Sequence, residues 1–397
     1  MPRSSRAASR PGAAKSKEKA ERARIRPRGG TEKHGCEMGA TIHGPEASRI
    51  GRMVQASPNA THQGPETPMY KVVLCRALHP TAMAMLAART DIEVQVLTDQ
   101  FRGPPMQKEL AASIAGADGI MVGLEKVGED LLVLGDRLRV ISRFGVGFDT
   151  LDISACTRRG VTVGVVNGAN DLSVAEHAMM LMLTTARRTL EMDASVRAGT
   201  WMVQAGRRMH ELSERRVLVV GYGRIGTRVA RLCAAFGMTV MVHDPAFPTP
   251  RIAADGHIPA PDLMAAVAEA DVVTLHCPLY EQTRHMVDAV FLARMKPTAW
   301  LINTARGGLV DEAALAAALA NGTIEAAGVD VLVTEPPVPD NPLFKLPNVV
   351  LSPHNAAAPL ECYAKMSRRA VLNLIEYFDG KLDPGYTVNP EALGRNA

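Results

Sequence analysis

One glycine-rich segment constrains the fold of this 397-residue chain more than any other feature. Gly221-Tyr-Gly223-Arg-Ile-Gly226 directly follows the apolar, β-branched run at residues 217–220 and opens an amphipathic helical pattern. A strand, three glycines at this spacing and a helix together predict a unit that binds the pyrophosphate of a dinucleotide. The first glycine permits the tight turn, the second lets the backbone approach the phosphates, and the third lets the helix pack on the strand.

An acidic residue follows at the position where such a unit usually carries one. Asp244 ends the next apolar run, eighteen residues beyond Gly226. A carboxylate there accepts hydrogen bonds from the adenosine ribose hydroxyls, whereas a 2′-phosphate would meet a like charge. The sequence therefore favours NAD over NADP. The alternative is that Asp244 is only a turn or helix-capping residue before Pro245.

Apolar runs alternate with helical stretches along most of the chain. The predicted strands are residues 71–75, 92–97, 119–122, 140–143, 217–220, 239–243, 272–276, 300–303 and 327–330. Nearly continuous apolar strands indicate parallel sheets that are covered on both faces. The pattern therefore predicts an α/β protein with two doubly wound parallel-sheet domains.

A long apolar helix separates the two alternating regions. It opens at Asp171, and Ser173 and Glu176 stand at the spacing of a capping box. We predict that the chain crosses here from the first domain, residues 69–168, to the second, residues 169–357.

The basic charge of the chain is concentrated in its first 68 residues. This segment holds 13 of the 45 Lys and Arg residues and 6 of the 41 acidic ones, so the remainder is mildly acidic. It lacks hydrophobic periodicity and predicts a disordered tail. Three explanations are open: a solvated extension without function, which we favour, an organelle-targeting segment, or a basic arm that binds polyanions.

Three later segments place polar residues after apolar strands, where open α/β sheets bind ligands. The residues are Arg306, Glu335 and His354. Taken singly, each has an ordinary explanation, as a surface cation, a solvated loop acid and a core histidine. Together they suit the reduction of a 2-oxo acid. A guanidinium holds the substrate carboxylate, a histidine protonates the oxyanion that hydride transfer creates, and a carboxylate stabilises the protonated imidazole.

At these residues the chain resembles the D-isomer-specific 2-hydroxyacid dehydrogenase family. The likeness covers about residues 70–390 and is strongest at the glycine turn, His276-Cys-Pro-Leu, Asn303-Thr-Ala-Arg306-Gly-Gly, Gly328-Val-Asp330-Val and Ser352-Pro-His354. The resemblance implies a Rossmann NAD-binding domain inserted in a flavodoxin-like substrate domain. Residues 358–397 would then return to the substrate domain. It also implies that Arg306, Glu335 and His354 are catalytic and that Asp330 orients the nicotinamide carboxamide.

The motif and the resemblance together nominate the residues that bind cofactor and substrate. The expected cofactor-binding residues are Gly221, Gly223, Arg224, Ile225, Gly226, Asp244, Cys277, Pro278, Thr304, Ala305, Arg306, Asp330 and His354. The expected substrate-binding residues are Gly145, Val146, Gly147 and Arg306. The two glycines follow a strand and make a plausible anion nest, although a plain strand-to-helix turn would look the same.

Two departures from the family bear on the substrate. Phosphoglycerate members tend to carry an arginine after the strand at residues 119–122, whereas this chain reads Gly123-Leu-Glu125-Lys126. This favours hydroxypyruvate or glyoxylate over phosphoglycerate, which stays possible. Glu335 argues against formate dehydrogenase, in which an amide pairs with the histidine.

The expected small-molecule partner is a 2-hydroxy or 2-oxo acid. The resemblance also implies a homodimer, joined through the helix at residues 171–188 and its neighbours. The six scattered cysteines suggest reduced thiols, a cytoplasmic location and no metal site. We expect no nucleic-acid partner because the basic charge lies in the tail, and no membrane partner because no charge-free apolar run approaches the length that crosses a bilayer. The competing hypothesis is an NAD-sensing binding protein, like the transcriptional corepressors built on this fold.

Overall fold

The computed structural model describes residues 69–97, 104–201 and 209–394. The tail predicted over residues 1–68 lies outside the described residues, so its disorder and its role stay predictions. No helix in these three ranges combines the length and the apolar composition that crossing a bilayer requires.

The first sheet contains five parallel strands within the described residues. They are β1 (Tyr70–Leu74), β2 (Ile92–Val96), β3 (Gly119–Val122), β4 (Val140–Arg143) and β5 (Thr162–Gly164). Their order across the sheet is β2-β1-β3-β4-β5, which is the flavodoxin-like order. Tyr70 pairs with Ile92, and Val72 pairs with Gly119.

Helices connect these strands and cover both faces of the sheet. They are α1 (Pro80–Ala87), α2 (Pro104–Ser113), α3 (Glu129–Leu132) and α4 (Ile153–Arg158). On one face Leu110 packs in a cluster with Ile120 and Ile141. On the other, Leu86 packs in a cluster with Val72. Burial of both faces accounts for the wholly apolar central strand β3, whereas the edge strand β2 carries Glu93 and Gln95.

The second sheet contains seven parallel strands within the described residues. They are β6 (Arg216–Val220), β7 (Thr239–His243), β8 (Ile258–Pro259), β9 (Val272–Leu275), β10 (Trp300–Asn303), β11 (Ala326–Val329) and β12 (Val349–Leu351). The order is β12-β11-β10-β9-β6-β7-β8, a Rossmann order with one additional strand. Because the chain reverses direction across the sheet at β6 and β9, the ligand crevice is expected beyond these two strands.

Seven helices of the described residues accompany this sheet: α5 (Asp171–Arg187), α6 (Thr189–Arg197), α7 (Arg224–Ala235), α8 (Thr249–Ala254), α9 (Leu263–Glu269), α10 (Ala289–Arg294) and α11 (Glu312–Ala320). Helix α5 carries the chain from the first sheet to the second. Its Leu181 and Met182 pack in one buried cluster with Trp300 and Ile302 of β10.

The capping box predicted from Ser173 and Glu176 is wrong. Helix α5 begins at Asp171, so both residues lie inside the helix, and the N-cap residue is Asn170. A capping-box serine must occupy the non-helical N-cap position for its hydroxyl to reach the backbone of the first turn. Asp171 instead supplies a carboxylate in the first turn, where the helix dipole favours negative charge.

The C-terminal part of the chain returns to the first sheet. Helix α12 (Leu360–Phe378) buries Val371 and Leu374 in the same cluster as Val72. Asn389 is fully buried; it accepts a hydrogen bond from the Val163 N–H at 2.8 Å and donates one to a backbone carbonyl at 2.9 Å. The two sheets confirm the predicted fold class. The boundaries at residues 168 and 357 stay predictions.

Candidate active site

The carboxyl ends of five neighbouring strands of the second sheet bring the predicted residues to one edge. Each strand is followed directly by a residue or segment named in the sequence analysis: Gly221 after β6, Asp244 after β7, His276 and Cys277 after β9, Thr304 after β10, and Asp330 after β11. In a parallel sheet these ends share one edge, which is where such sheets bind ligands.

The glycine turn has the geometry that its sequence predicts. Gly221 adopts φ +95°, and a Cβ there would lie 2.6 Å from the Cys277 backbone nitrogen, so no other residue fits. A Cβ on Gly226 would lie 1.9 Å from the Gly221 oxygen, which shows how closely the helix packs. At Gly223, by contrast, a Cβ would meet nothing within 4 Å. The backbone at Gly223 is therefore open to an approaching ligand.

Asp244 is tied to this turn by its backbone hydrogen bonds. One carboxylate oxygen accepts the Tyr222 N–H at 2.7 Å, and the other accepts the Ala246 N–H at 2.9 Å. A carboxylate oxygen has room for a second donor. Asp244 can therefore still accept a hydrogen bond from a ligand hydroxyl.

The other predicted cofactor residues surround the same crevice. Arg224 and Ile225 form the first turn of α7, where helix N–H groups lack intrahelical partners. Cys277 and Pro278 follow β9, and burial raises the pKa of the Cys277 thiol to about 11. The Thr304 hydroxyl is buried and has no hydrogen-bond partner among the described residues. An orphaned buried hydroxyl of this kind suits a site built for a polar ligand.

His354 and Glu335 form a close pair. His354 Nδ1 lies 2.5 Å from one Glu335 carboxylate oxygen, and the other oxygen accepts the Leu332 N–H at 2.9 Å. Both side chains keep about a quarter to a third of their surface exposed. Because Nδ1 is engaged by Glu335, the Nε2 atom is the ring nitrogen that remains for a substrate. The structure thus brings Glu335 and His354 together, while their role in acid–base catalysis stays a prediction.

The turn that carries His354 is held by the buried carboxylate of Asp330. One of its oxygens accepts hydrogen bonds from the Ser352 hydroxyl at 2.6 Å and the Asn355 N–H at 3.0 Å, with His177 Nε2 at 3.2 Å. The other accepts the Ala356 N–H at 3.1 Å. Burial by itself would raise the pKa of Asp330, but hydrogen bonds from His177, Ser352 and Asn355 outweigh it and lower the pKa to about 2.

Arg306 follows β10 and contacts the loop after β4 of the first sheet. Its Nε donates to Asp149 at 2.6 Å, and one terminal nitrogen donates to the Ala305 carbonyl at 2.7 Å. A Cβ on Gly147 would lie 1.3 Å from the Arg306 guanidinium, so Gly147 leaves the room that this guanidinium occupies. Arg306 thus joins the predicted substrate loop at Gly145, Val146 and Gly147.

A second guanidinium under this loop was not identified as a site residue from the sequence. Arg143 is buried at the end of β4, and its terminal nitrogen donates to the Phe144 carbonyl at 2.6 Å. Burial, followed by repulsion from Arg306, lowers its pKa to about 10. The pKa of Asp149 is also lowered. Burial opposes the ionisation of this carboxylate, but the positive charge of Arg306 outweighs burial. In the sequence, the apolar residues of β4 around Arg143 gave no indication that it lies beneath the substrate loop.

The loop after β3 presents an acid, as the sequence suggests. The Glu125 carboxylate accepts a hydrogen bond from the Gly123 N–H, and its negative charge acts on the Arg143 guanidinium. Lys126 is exposed, and its backbone N–H donates to the Gln107 side chain.

We expect Asp330→Asn to reduce the free energy of unfolding at pH 7 by about 2–4 kcal/mol, because an amide nitrogen would face backbone donors. Since the pKa of Asp330 is lowered, the contribution of its carboxylate is fully present above its ordinary value of 3.8 and is lost as the pH falls through about 2. Urea unfolding at pH 7 measures the loss of stability. Repeating it at pH 3 shows how much of the contribution of the carboxylate is lost as the pH falls. The control, exposed Asp340→Asn, should change stability by less than about 0.5 kcal/mol. An equal loss of unfolding free energy in both variants would contradict the conclusion that the Asp330 carboxylate holds the His354 turn.

Comparison with known proteins identifies the family. The family described as "D-isomer specific 2-hydroxyacid dehydrogenase, NAD binding domain" matches residues 179–356. The chain is 35% identical over 333 residues to a glyoxylate reductase of Aeropyrum pernix, covering 81% of this chain and 97% of that protein. It is 38% identical over 274 residues to a D-3-phosphoglycerate dehydrogenase of Archaeoglobus fulgidus, covering 69% of this chain and 51% of that protein.

A solved structure shares the fold as well. The NADPH-dependent glyoxylate/hydroxypyruvate reductase of Sinorhizobium meliloti, solved with NADP and malonate, matches with a TM-score of 0.72 and 30% identity. The match covers 83% of this chain and 99% of that one. The resemblance inferred from the sequence is therefore confirmed. The chain belongs to the D-isomer-specific 2-hydroxyacid dehydrogenase family, and it is an NAD(P)-dependent oxidoreductase of that family.

Proposed function

We propose that the protein interconverts a small 2-oxo acid and its D-2-hydroxy acid, with NAD(H) as the cofactor and glyoxylate or hydroxypyruvate as the preferred oxo acid. The observation that carries the proposal is the pairing of His354 Nδ1 with Glu335 at 2.5 Å. It leaves Nε2 for the substrate at the sheet edge where the glycine turn lies.

The residues around the crevice suit a nicotinamide dinucleotide. Gly223 leaves open space for the pyrophosphate, the first turn of α7 offers N–H groups, and Asp244 offers a carboxylate to the ribose. The orphaned Thr304 hydroxyl adds a donor on the opposite wall. When bound, the cofactor supplies or accepts the hydride.

Arg306 and the substrate loop would receive the substrate carboxylate. The Arg306 guanidinium lies against Gly147, so a carboxylate held in its fork also comes within reach of the loop N–H groups at Val146 and Gly147. The buried charge of Arg143 beneath the loop adds to the positive potential. Asp149 holds Arg306 in this position through its hydrogen bond to Nε.

His354 would move the proton. In reduction, Nε2 donates its proton to the carbonyl oxygen as negative charge develops there, and Glu335 stabilises the imidazolium beforehand through Nδ1. In oxidation, Nε2 of the neutral ring accepts the hydroxyl proton. Glu335 is in turn held by the Leu332 N–H, so the ring orientation is set by the loop after β11.

Two observations support a small substrate without a phosphate. The Glu125 carboxylate stands close enough to act electrostatically on Arg143, and a phosphate on that side would meet this negative charge. Relatives named glyoxylate reductase support the same substrate class.

We expect purified protein to oxidise NADH in the presence of glyoxylate or hydroxypyruvate, and to use 3-phosphohydroxypyruvate less well. His354→Ala should lower kcat by about a hundredfold or more, since a positioned general acid contributes that much. NADH binding, measured by NADH fluorescence, should persist, because the glycine turn, α7 and Asp244 remain in place. His285→Ala is a matched control because His285 is exposed and, like His354, has a positive φ.

If no 2-oxo acid supports NADH oxidation although NADH binds normally, the proposal is overturned. Cofactor-dependent dimerisation that survives His354→Ala would then favour the NAD-sensing hypothesis.

We expect NADH to be preferred over NADPH because the Asp244 carboxylate would repel a 2′-phosphate. Asp244→Ser should raise kcat/KM with NADPH relative to NADH by about tenfold or more, which corresponds to about 1.4 kcal/mol. The neighbouring carboxylate change Asp262→Ser, at the N-cap of α9, should leave the ratio unchanged. A wild-type preference for NADPH would contradict the assignment.

We also propose a homodimer built on α5 and α6. Large apolar side chains are exposed along these helices, namely Leu172, Met180, Leu190 and Val196. Such a surface is typical of an interface. Light scattering should give twice the chain mass, and the double change Met180→Glu with Leu190→Glu should give monomers. Val290→Glu, on an exposed apolar residue of α10, is the control. A monomeric wild type would refute the dimer.

A further inference from the structure

We propose that His177 is a positioning residue for catalysis: its Nε2–H completes the hydrogen-bonded clamp that holds the His354 turn in its catalytic conformation. This inference rests on the proposed role of His354. His177 lies on helix α5, and 175 residues separate it from Ser352, whose hydroxyl it contacts at 2.8 Å.

The direction of the hydrogen bonds follows from the charge on Asp330. Because the Asp330 carboxylate is ionised, it can only accept, so the Ser352 hydroxyl donates its single proton to it at 2.6 Å. The Ser352 oxygen is then left as an acceptor towards His177. His177 must therefore carry a proton on Nε2. The same N–H also faces Asp330 at 3.2 Å.

The clamp sustains a backbone conformation that is unfavourable by itself. His354 has φ +53°, in the left-handed region that non-glycine residues rarely occupy. Around it, the Asn355 and Ala356 N–H groups are held by the Asp330 side chain, and the His354 N–H is held by the Asp330 carbonyl at 2.7 Å. A strained conformation persists only when its surroundings over-determine it.

His177 is the member of the clamp that comes from outside the turn and its neighbouring strand. Ser352, Asn355 and Ala356 all belong to the segment that they position, whereas His177 belongs to a helix packed on the sheet. Its side chain is mostly buried, with 15% of its surface exposed. The ring thus ties the turn to helix α5. Loss of this contact should move His354 relative to the substrate.

The test compares three substitutions of His177 in the full chain, with NADH and glyoxylate or hydroxypyruvate. Gln places an amide nitrogen near the position of Nε2, whereas Asn is too short and Ala has no donor. We expect His177→Ala and His177→Asn to lower kcat by about ten- to a hundredfold, the order expected for a misplacement near 1 Å. KM for the oxo acid and NADH affinity should stay within about twofold, and His177→Gln should restore kcat to within about threefold of wild type.

A double substitution tests whether His177 acts through Ser352. Ser352→Ala should lower kcat by itself, and adding His177→Ala should cause little further loss, because residues of one network are not additive. Full additivity, wild-type kcat in His177→Ala, or equal rescue by Gln and Asn would overturn the proposal.

A measurement that needs no activity separates this inference from the proposed function. Histidine side-chain 15N NMR of the wild type, with His177 assigned by comparison with His177→Gln, should show a proton on Nε2. A neutral ring with its proton on Nδ1 would overturn the clamp, whatever the turnover. Absence of turnover in the wild type together with the Nε2–H signal would count against the proposed function and leave the clamp standing.

Discussion

The contact between Arg306 and Asp149 is the interaction on which the geometry of the site depends, because it joins a residue beyond β10 to a loop beyond β4. Asp149 is the counter-ion of Arg306, and its charge also acts on the buried Arg143. Two guanidinium groups that repel each other therefore share one nearby carboxylate. Such an arrangement keeps positive potential at the loop while avoiding an uncompensated buried charge.

Two other carboxylates, those of Asp330 and Glu335, differ in their surroundings and in what they contact. Asp330 is buried, remains ionised through several donors, and organises backbone. Glu335 is partly exposed and meets an imidazole that can gain or lose a proton. Environment rather than residue type thus separates a buried acid that organises backbone from a partly exposed acid that pairs with an imidazole. The spacing along the chain, with each acid following the same strand β11, allows both to act on His354.

Features that depend on local chain geometry could be predicted from the sequence. The glycine turn and the strands at residues 119–122, 239–243 and 300–303 match the structure, because apolar runs and glycine spacing report local packing. The short strand β5 and helix α6 were not predicted, since three residues carry little periodicity and α6 shows few buried positions. Helix starts are also decided by tertiary context, as the misplaced capping box at Ser173 illustrates.

The parts of the site that could not be predicted depend on contacts between distant segments. The roles of Arg306, Glu335 and His354 were suggested by chemistry that requires all three, and the structure pairs Glu335 with His354. Arg143 and His177 sit within apolar patterns, a strand and a helix, which in the sequence look like core. The charge of Arg306 that acts on Arg143 and the Ser352 hydroxyl that contacts His177 come from distant segments, which only the fold brings beside them.

The return of α12 to the first sheet has a consequence for how the chain folds during synthesis. The sheet ends at β5, near residue 164, but the helix that buries one of its faces begins only at Leu360. At typical rates of about 5–20 residues per second, the ribosome needs roughly 10–40 s to make the intervening segment. Until α12 is made, Val72, Met121 and their neighbours lack its cover, and on that face Leu86 of α1 packs with them. A nascent chain that exposes this apolar face is prone to aggregation until α12 covers it.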